Sequence, residues 1–152
     1  LQVYPDARIV QTHRDPLKCM ASTTSLMGTL YHMRSDQPFN AELFDNIIMG
    51  EATAQRLEKV IEQRENGVVP DASIVDSRYQ DLMNDPIACI KNIYAHFQMD
   101  LYSNALSNML KYLEGKPKGK FGIHHYEIDE HRSKERPLFQ RYQELYDVPD
   151  EI

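Results

Sequence analysis

The class this sequence predicts is an α/β fold with parallel strands, and three observations carry the prediction. Two short apolar runs, "ARIVQTH" at 7–13 and "ASIVDSRY" at 72–79, read as strands. After each comes an Asp-Pro pair, Asp15-Pro16 and Asp85-Pro86, the signature of a helix start: a side-chain cap followed by a residue with no N–H to satisfy. Between and beyond them, apolar residues recur at helical spacing. Strands that alternate with helices imply crossover connections and parallel pairing.

In chain order, the run at 7–13 is expected to be a short buried strand. From Leu17 onward, Leu17, Met20, Ala21, Thr24, Met27, Gly28 and Tyr31 fall on one helical face. Asn40 can cap a second, long helix reaching about Asn66, with Leu43, Phe44, Ile47, Ile48, Leu57, Val60 and Ile61 inward and Gly67 as its stop. After the second strand, a helix carries Ile87, Ile90, Tyr94 and Phe97 on one face. Ser103 is expected to cap the next, with Leu106, Met109, Leu110 and Leu113 inward and Gly115 at its end. A basic, glycine-rich loop covers 115–131, and a last helix runs roughly from Glu135 to Tyr146. Phe139, Tyr142 and Tyr146 sit at helical spacing and read as core.

The 152 residues are the size of one ordinary domain, and 41% hydrophobic with 26% charged residues is a globular composition. No apolar run is long enough to span a bilayer as a helix. A net charge of −6 argues against broad nucleic-acid binding, though it says nothing about one pocket. Cys19 and Cys89 have neither zinc nor redox-pair spacing and are expected to be buried thiols, which fits a reducing compartment. Residue 1 is Leu, and two strands alone do not make a stable parallel sheet. The chain therefore reads as part of a single larger domain, with more of the sheet expected upstream.

Ligands of open α/β sheets bind at the carboxyl ends of the strands. Arg14 stands at such an end, beside a helix N-terminus whose free N–H groups and partial positive charge favour anions. A guanidinium adds a planar fork suited to phosphate. Ser22 lies about two helical turns on, on the polar side with Lys18, Ser25 and Thr29. An anion touched by both would sit beside the helix rather than over its end. From spacing alone, ordinary capping is the favoured reading, with Arg14 a surface residue or a partner of Asp15 or Asp6, and Ser22 a serine on a polar face with no role.

"YPDARIVQTHRDPLKCMAS" (4–22), "VDSRYQDLMNDP" (75–86) and "KGKFG" (118–122), in this order, resemble the C-terminal portion of sulfotransferases, and most of all a divergent bacterial branch. "HHYEIDEHRS" and "FQRYQELYDV" resemble that branch's tail, with His124 and Tyr126 at its His-x-Tyr positions. The resemblance implies a three-layer α/β/α P-loop-type fold and 3′-phosphoadenosine 5′-phosphosulfate (PAPS) as sulfuryl donor. It implies that Arg14 and Ser22, eight positions apart, hold the donor's 3′-phosphate. Tyr79 would contact the adenine, and Lys118 and Gly119 would close over the phosphate. Two positions depart from the family pattern: Gln80 replaces a glutamate, and Pro117 replaces an arginine just before the Lys-Gly pair, whose charge Lys116 or Lys120 would have to supply.

The family's strand and glycine-rich loop for the 5′-phosphosulfate are missing from the sequence, and so is its catalytic base. Both are expected upstream of Leu1, so no catalytic residue is assigned and the piece alone is expected to turn over little. "GKPKGKF" (115–121) is not a P-loop, because its spacing is one residue short and no Ser or Thr follows the lysine. The implied acceptor is a small molecule, glycan or lipid with a hydroxyl or amine, and cytoplasmic location is expected. Two rival readings remain: a P-loop small-molecule kinase using ATP and magnesium, and a non-catalytic nucleotide-binding or interaction module.

Three further clusters read more simply. His124, His125, Glu127, Asp129 and His131 look like a polar loop, and no metal is expected. Glu58, Glu62 and Glu65 with Arg56, Lys59 and Arg64 look like a solvated helix face. Met27, Met33 and Met49 can line a pliable acceptor pocket or equally be core.

Overall fold

The computed structural model describes residues 3–44, 50–116 and 133–152. In order, the elements are β1 (Ile9–His13), α1 (Pro16–His32), α2 (Gly50–Glu65), β2 (Ile74–Arg78), α3 (Tyr79–Asn84), α4 (Pro86–His96), α5 (Ser103–Gly115) and α6 (Gln140–Tyr146). Short 3₁₀ turns cover Ala41–Phe44, Asp71–Ser73 and Arg136–Phe139. The described residues contain no helix long and apolar enough to cross a membrane.

The chain forms two compact units: residues up to His13 with the run from Asn66, and Arg14–Glu65 with the C-terminal run to Ile152. In the first, β1 and β2 pair in parallel, in a register that sets Ile9 against Ile74 and His13 against Arg78. Burial alternates along β1, as the two-residue strand period requires. Its covered side carries Ile9, Gln11 and His13, while Val10 is 41% exposed, so β1 is half-exposed rather than buried throughout. β2 ends at Arg78, and Tyr79 opens α3 instead of closing the strand.

α4 starts as the Asp-Pro pair dictates: Pro86 is in its first turn, and the Asp85 carboxylate accepts from the Ala88 N–H at 2.9 Å. Its apolar face is covered as expected, with Phe97 buried and Ile87, Ile90 and Tyr94 half-buried. α5 departs from expectation. Tyr102, not Ser103, is the N-cap, and it makes no side-chain cap. Leu106 and Met109 are half-buried, but Leu110 and Leu113 are exposed.

In the second unit the α1 face is as the spacing predicts: Leu17, Met20 and Ala21 are buried, and Thr24, Met27, Gly28 and Tyr31 half-buried. Leu17 and Met20 pack with Phe139, and Ala54 and Leu57 of α2 close the cluster. A second cluster joins Ile61, Tyr142 and Val148. Phe139 and Tyr142 are thus core, as expected, although Phe139 belongs to the 3₁₀ turn rather than to the helix.

The expected long helix does not open as an α-helix at Asn40. Asn40 accepts from the Glu42 N–H at 2.9 Å but caps only a 3₁₀ turn. Leu43 there is 70% exposed, while Phe44 stacks on Phe39 at 5.6 Å. Ile47 and Ile48 lie outside the described residues, and Val60 is exposed beside a fully buried Ile61. Gly67, with φ of +69°, takes the left-handed conformation that suits glycine after a helix.

The charged face of α2 does more than meet solvent. Arg141 of α6 pairs with both Glu58 and Glu65, and Arg64 lies over the Tyr146 ring at 5.4 Å. Cys89 is buried as expected, but Cys19 is exposed because it lies off the α1 core face. Met33 is 76% exposed and so no core residue; Met49 lies outside the described residues.

Candidate functional site

β1 leads directly into the turn that carries Arg14. Its next residue, Asp15, is completely buried and caps α1 by accepting from the Leu17 N–H at 3.0 Å. A buried carboxylate needs a counter-charge and its lone pairs filled. Arg136 supplies the charge with both nitrogens, Nη2 to Oδ2 at 3.1 Å and Nη1 to Oδ1 at 3.4 Å. The backbone N–H of Glu151 adds a further bond to Oδ2 at 2.8 Å. Asp15 is therefore much more than an N-cap, because it joins the helix start to the C-terminal segment.

That segment is held at three successive residues. Arg136 donates to Asp150 Oδ1 at 2.5 Å and to the Ile152 carbonyl at 2.7 Å, and Asp15 holds Glu151 between them. Gln143 donates to Asp150 at 2.8 Å and to the Val148 carbonyl at 3.1 Å. So mounted, Glu151 presents its carboxylate to Arg14. The Arg14 Nε–H lies 2.8 and 3.0 Å from the two carboxylate oxygens, and Nη2 donates to Oε2 at 2.7 Å. The two side chains are 30% and 27% exposed, so solvent reaches the pair. Arg14 thus pairs with a residue 137 positions away.

Ser22 is half-buried on α1, in the same unit as Arg14. On its polar side Lys18 is half-buried and Ser25 and Thr29 exposed, as the helical spacing predicts. Cys19 is also near this turn. The protein around its thiol raises the pKa above the ordinary value, Arg14 opposes the rise, and the carboxylates of Glu151 and Asp15 add to it.

In the other unit, β2 leads directly into half-buried Tyr79, the first residue of α3. Arg78 and Asp81 brace that turn by a two-point pair, Nε to Oδ2 at 2.7 Å and Nη2 to Oδ1 at 3.2 Å. Beneath it, His13 Nε2 lies 2.8 Å from Asp76 Oδ1, with His13 fully buried. A carboxylate can only accept, so Nε2 carries the proton.

Lys118 and Gly119 lie outside the described residues, and so does the histidine cluster at 124–131. Among the described residues no group of three or more His, Cys, Asp or Glu is placed to hold a metal ion. A surface cleft of about 640 Å³ borders Arg136, Gln143 and Val148, and one of about 300 Å³ lies between β2 and α4; neither includes Arg14, Ser22 or Tyr79. Sequence reasoning missed Arg136 and Glu151, since no local motif marks an ion pair that closes over more than a hundred residues.

The sulfotransferase family model matches residues 1–104, a range that contains Arg14, Ser22 and Tyr79. Among curated proteins, the omega-hydroxy-beta-dihydromenaquinone-9 sulfotransferase Stf3 of Mycobacterium bovis (strain ATCC BAA-935 / AF2122/97) is 29% identical over 114 residues. That alignment covers 74% of this chain and 28% of Stf3, so the chain spans under a third of this relative's length. Stf3 of Mycobacterium tuberculosis (strain CDC 1551 / Oshkosh) matches with the same values. Among solved structures, sulfotransferase STF9 from Mycobacterium avium aligns with a TM-score of 0.72 at 25% identity, over 98% of this chain and 38% of that one. With the family model covering more than half of its residues and an α/β architecture shared with STF9, this chain belongs to the sulfotransferase family.

Proposed function

We propose that the chain forms the nucleoside-3′-phosphate half of the donor site in a PAPS-dependent sulfotransferase with a three-layer α/β/α P-loop-type fold. In this reaction the bond from sulfur to the donor's 5′-phosphate oxygen breaks and a bond from sulfur to the acceptor oxygen or nitrogen forms. The acceptor loses a proton, and adenosine 3′,5′-bisphosphate leaves. Arg14 and Ser22 bind the 3′-phosphate, Tyr79 lies against the adenine, and Lys118 with Gly119 closes over the phosphate. The acceptor is a small molecule, glycan or lipid bearing a hydroxyl or amine. The omega-hydroxy group in the name of Stf3 favours a hydroxyl.

One observation carries the reading. Arg14, beside the N-terminus of α1, grips an oxyanion through a fork of N–H donors while remaining partly open to solvent. A guanidinium carries a second such fork across its two Nη groups, which matches two oxygens of a phosphate, and the helix dipole adds to its preference for anions. The test is calorimetric titration of the complete protein with adenosine 3′,5′-bisphosphate, adenosine 5′-monophosphate, and ATP with magnesium. Clear preference for the bisphosphate is expected. Binding that ignores the 3′-phosphate, or that favours magnesium-ATP, contradicts the assignment.

A further inference from the structure

We infer that Glu151 is a positioning residue for the donor site: its carboxylate fixes the plane and direction of the Arg14 guanidinium that receives the 3′-phosphate. The inference rests on the donor-site reading above and extends it to a residue outside the range matched by the family model.

Three features distinguish Glu151 from an incidental surface partner. Its contact with Arg14 is two-pointed, which fixes orientation as well as distance. A long, exposed arginine otherwise loses rotamer freedom when it binds a ligand, and holding it in place beforehand removes that cost. Next, the Glu151 backbone is itself fixed. Its N–H is bound to Asp15, a fully buried residue, and its neighbours Asp150 and Ile152 are both held by Arg136. The carboxylate therefore projects from a rigid mount. Last, the mount and the target share one anchor, since Asp15 directly follows Arg14 and caps the helix that carries Ser22. Glu151, Arg14 and the start of α1 are thus held in one frame.

A carboxylate this close to a phosphate site also repels the ligand, so positioning and competition predict opposite signs. The experiment is titration of adenosine 3′,5′-bisphosphate and adenosine 5′-monophosphate into the wild-type complete protein and into Glu151→Gln and Glu151→Ala. Positioning predicts that Glu151→Gln weakens the bisphosphate by roughly fivefold, the scale of a well-aligned, partly exposed ion pair. Glu151→Ala should weaken it further, and the monophosphate should be unaffected by either change. Tighter bisphosphate binding by Glu151→Gln overturns the inference and makes Glu151 a competitor for Arg14. Equal weakening of both nucleotides overturns it in favour of a merely structural role, and no change overturns it outright. If the wild type itself does not distinguish the two nucleotides, the donor-site reading falls and this inference falls with it.

Discussion

Arg136 holds both carboxylate oxygens of Asp15 across 121 residues of chain, and Asp15 is completely buried. Removing Asp15 leaves Arg136 paired with Asp150 but breaks charge-assisted hydrogen bonds to a fully buried group, a loss of about 1.5–3 kcal/mol. Asp15→Ala also deletes the α1 cap. It should therefore lower unfolding stability by at least that range in chemical denaturation of the complete protein. Asp15→Asn keeps a capping oxygen and should cost less. A loss below about 1 kcal/mol for the alanine variant, the scale of a cap alone, would show that the pair contributes nothing.

Phe139 is 1% exposed and packs against Leu17 and Met20. Truncating a buried phenylalanine costs about 3–5 kcal/mol through lost burial and the cavity left behind. Phe139→Ala should fall in that range, and Phe139→Leu, which leaves a smaller void, well short of it. Thermal and urea unfolding of the two variants provide the check. Equal, small losses would mean that the contact between the 3₁₀ turn and α1 is not part of the core.

Cys19 reports on charge at the Arg14 turn. Its raised pKa leaves the thiolate, the reactive form, a smaller minority at neutral pH than in an unstructured peptide. Alkylation by iodoacetamide should therefore be slow at pH 7 and should rise with pH about a midpoint above that of a peptide cysteine. Because the Arg14 charge opposes the shift, Arg14→Ala should move the midpoint higher still. A midpoint at or below the peptide value, or one that falls in Arg14→Ala, contradicts this electrostatic picture.

Local chemistry was legible in the sequence, and long-range closure was not. Asp15-Pro16 and Asp85-Pro86 opened helices because a cap and a proline act within one turn. The covered faces of α1 and α4 followed from apolar spacing. Leu43, Leu110 and Leu113 were expected inward and are exposed, because spacing shows which residues share a face but not whether anything covers it. Cys19 was misread for a related reason, as apolar neighbours along a helix do not share its side. At the candidate site, Arg14 and Ser22 were singled out by the strand end and the resemblance. Glu151 and Arg136 were not, because their partners lie more than a hundred residues away.

Ser22 offers a second test of the same donor contact. A hydroxyl bonded to a phosphate is worth about 1.5–3 kcal/mol. Ser22→Ala should therefore weaken adenosine 3′,5′-bisphosphate roughly ten- to hundredfold at constant monophosphate affinity. Unchanged bisphosphate affinity would place the anion over the helix end, out of reach of Ser22.

The most direct test of the central claim is the effect of Arg14→Ala on nucleotide binding, measured by titration of the complete protein. The account predicts at least a several-fold loss for adenosine 3′,5′-bisphosphate and almost none for adenosine 5′-monophosphate, which lacks the contacted phosphate. Equal losses for the two nucleotides would mean that Arg14 supports the fold or another part of the ligand, and the phosphate role assigned to this turn would be wrong.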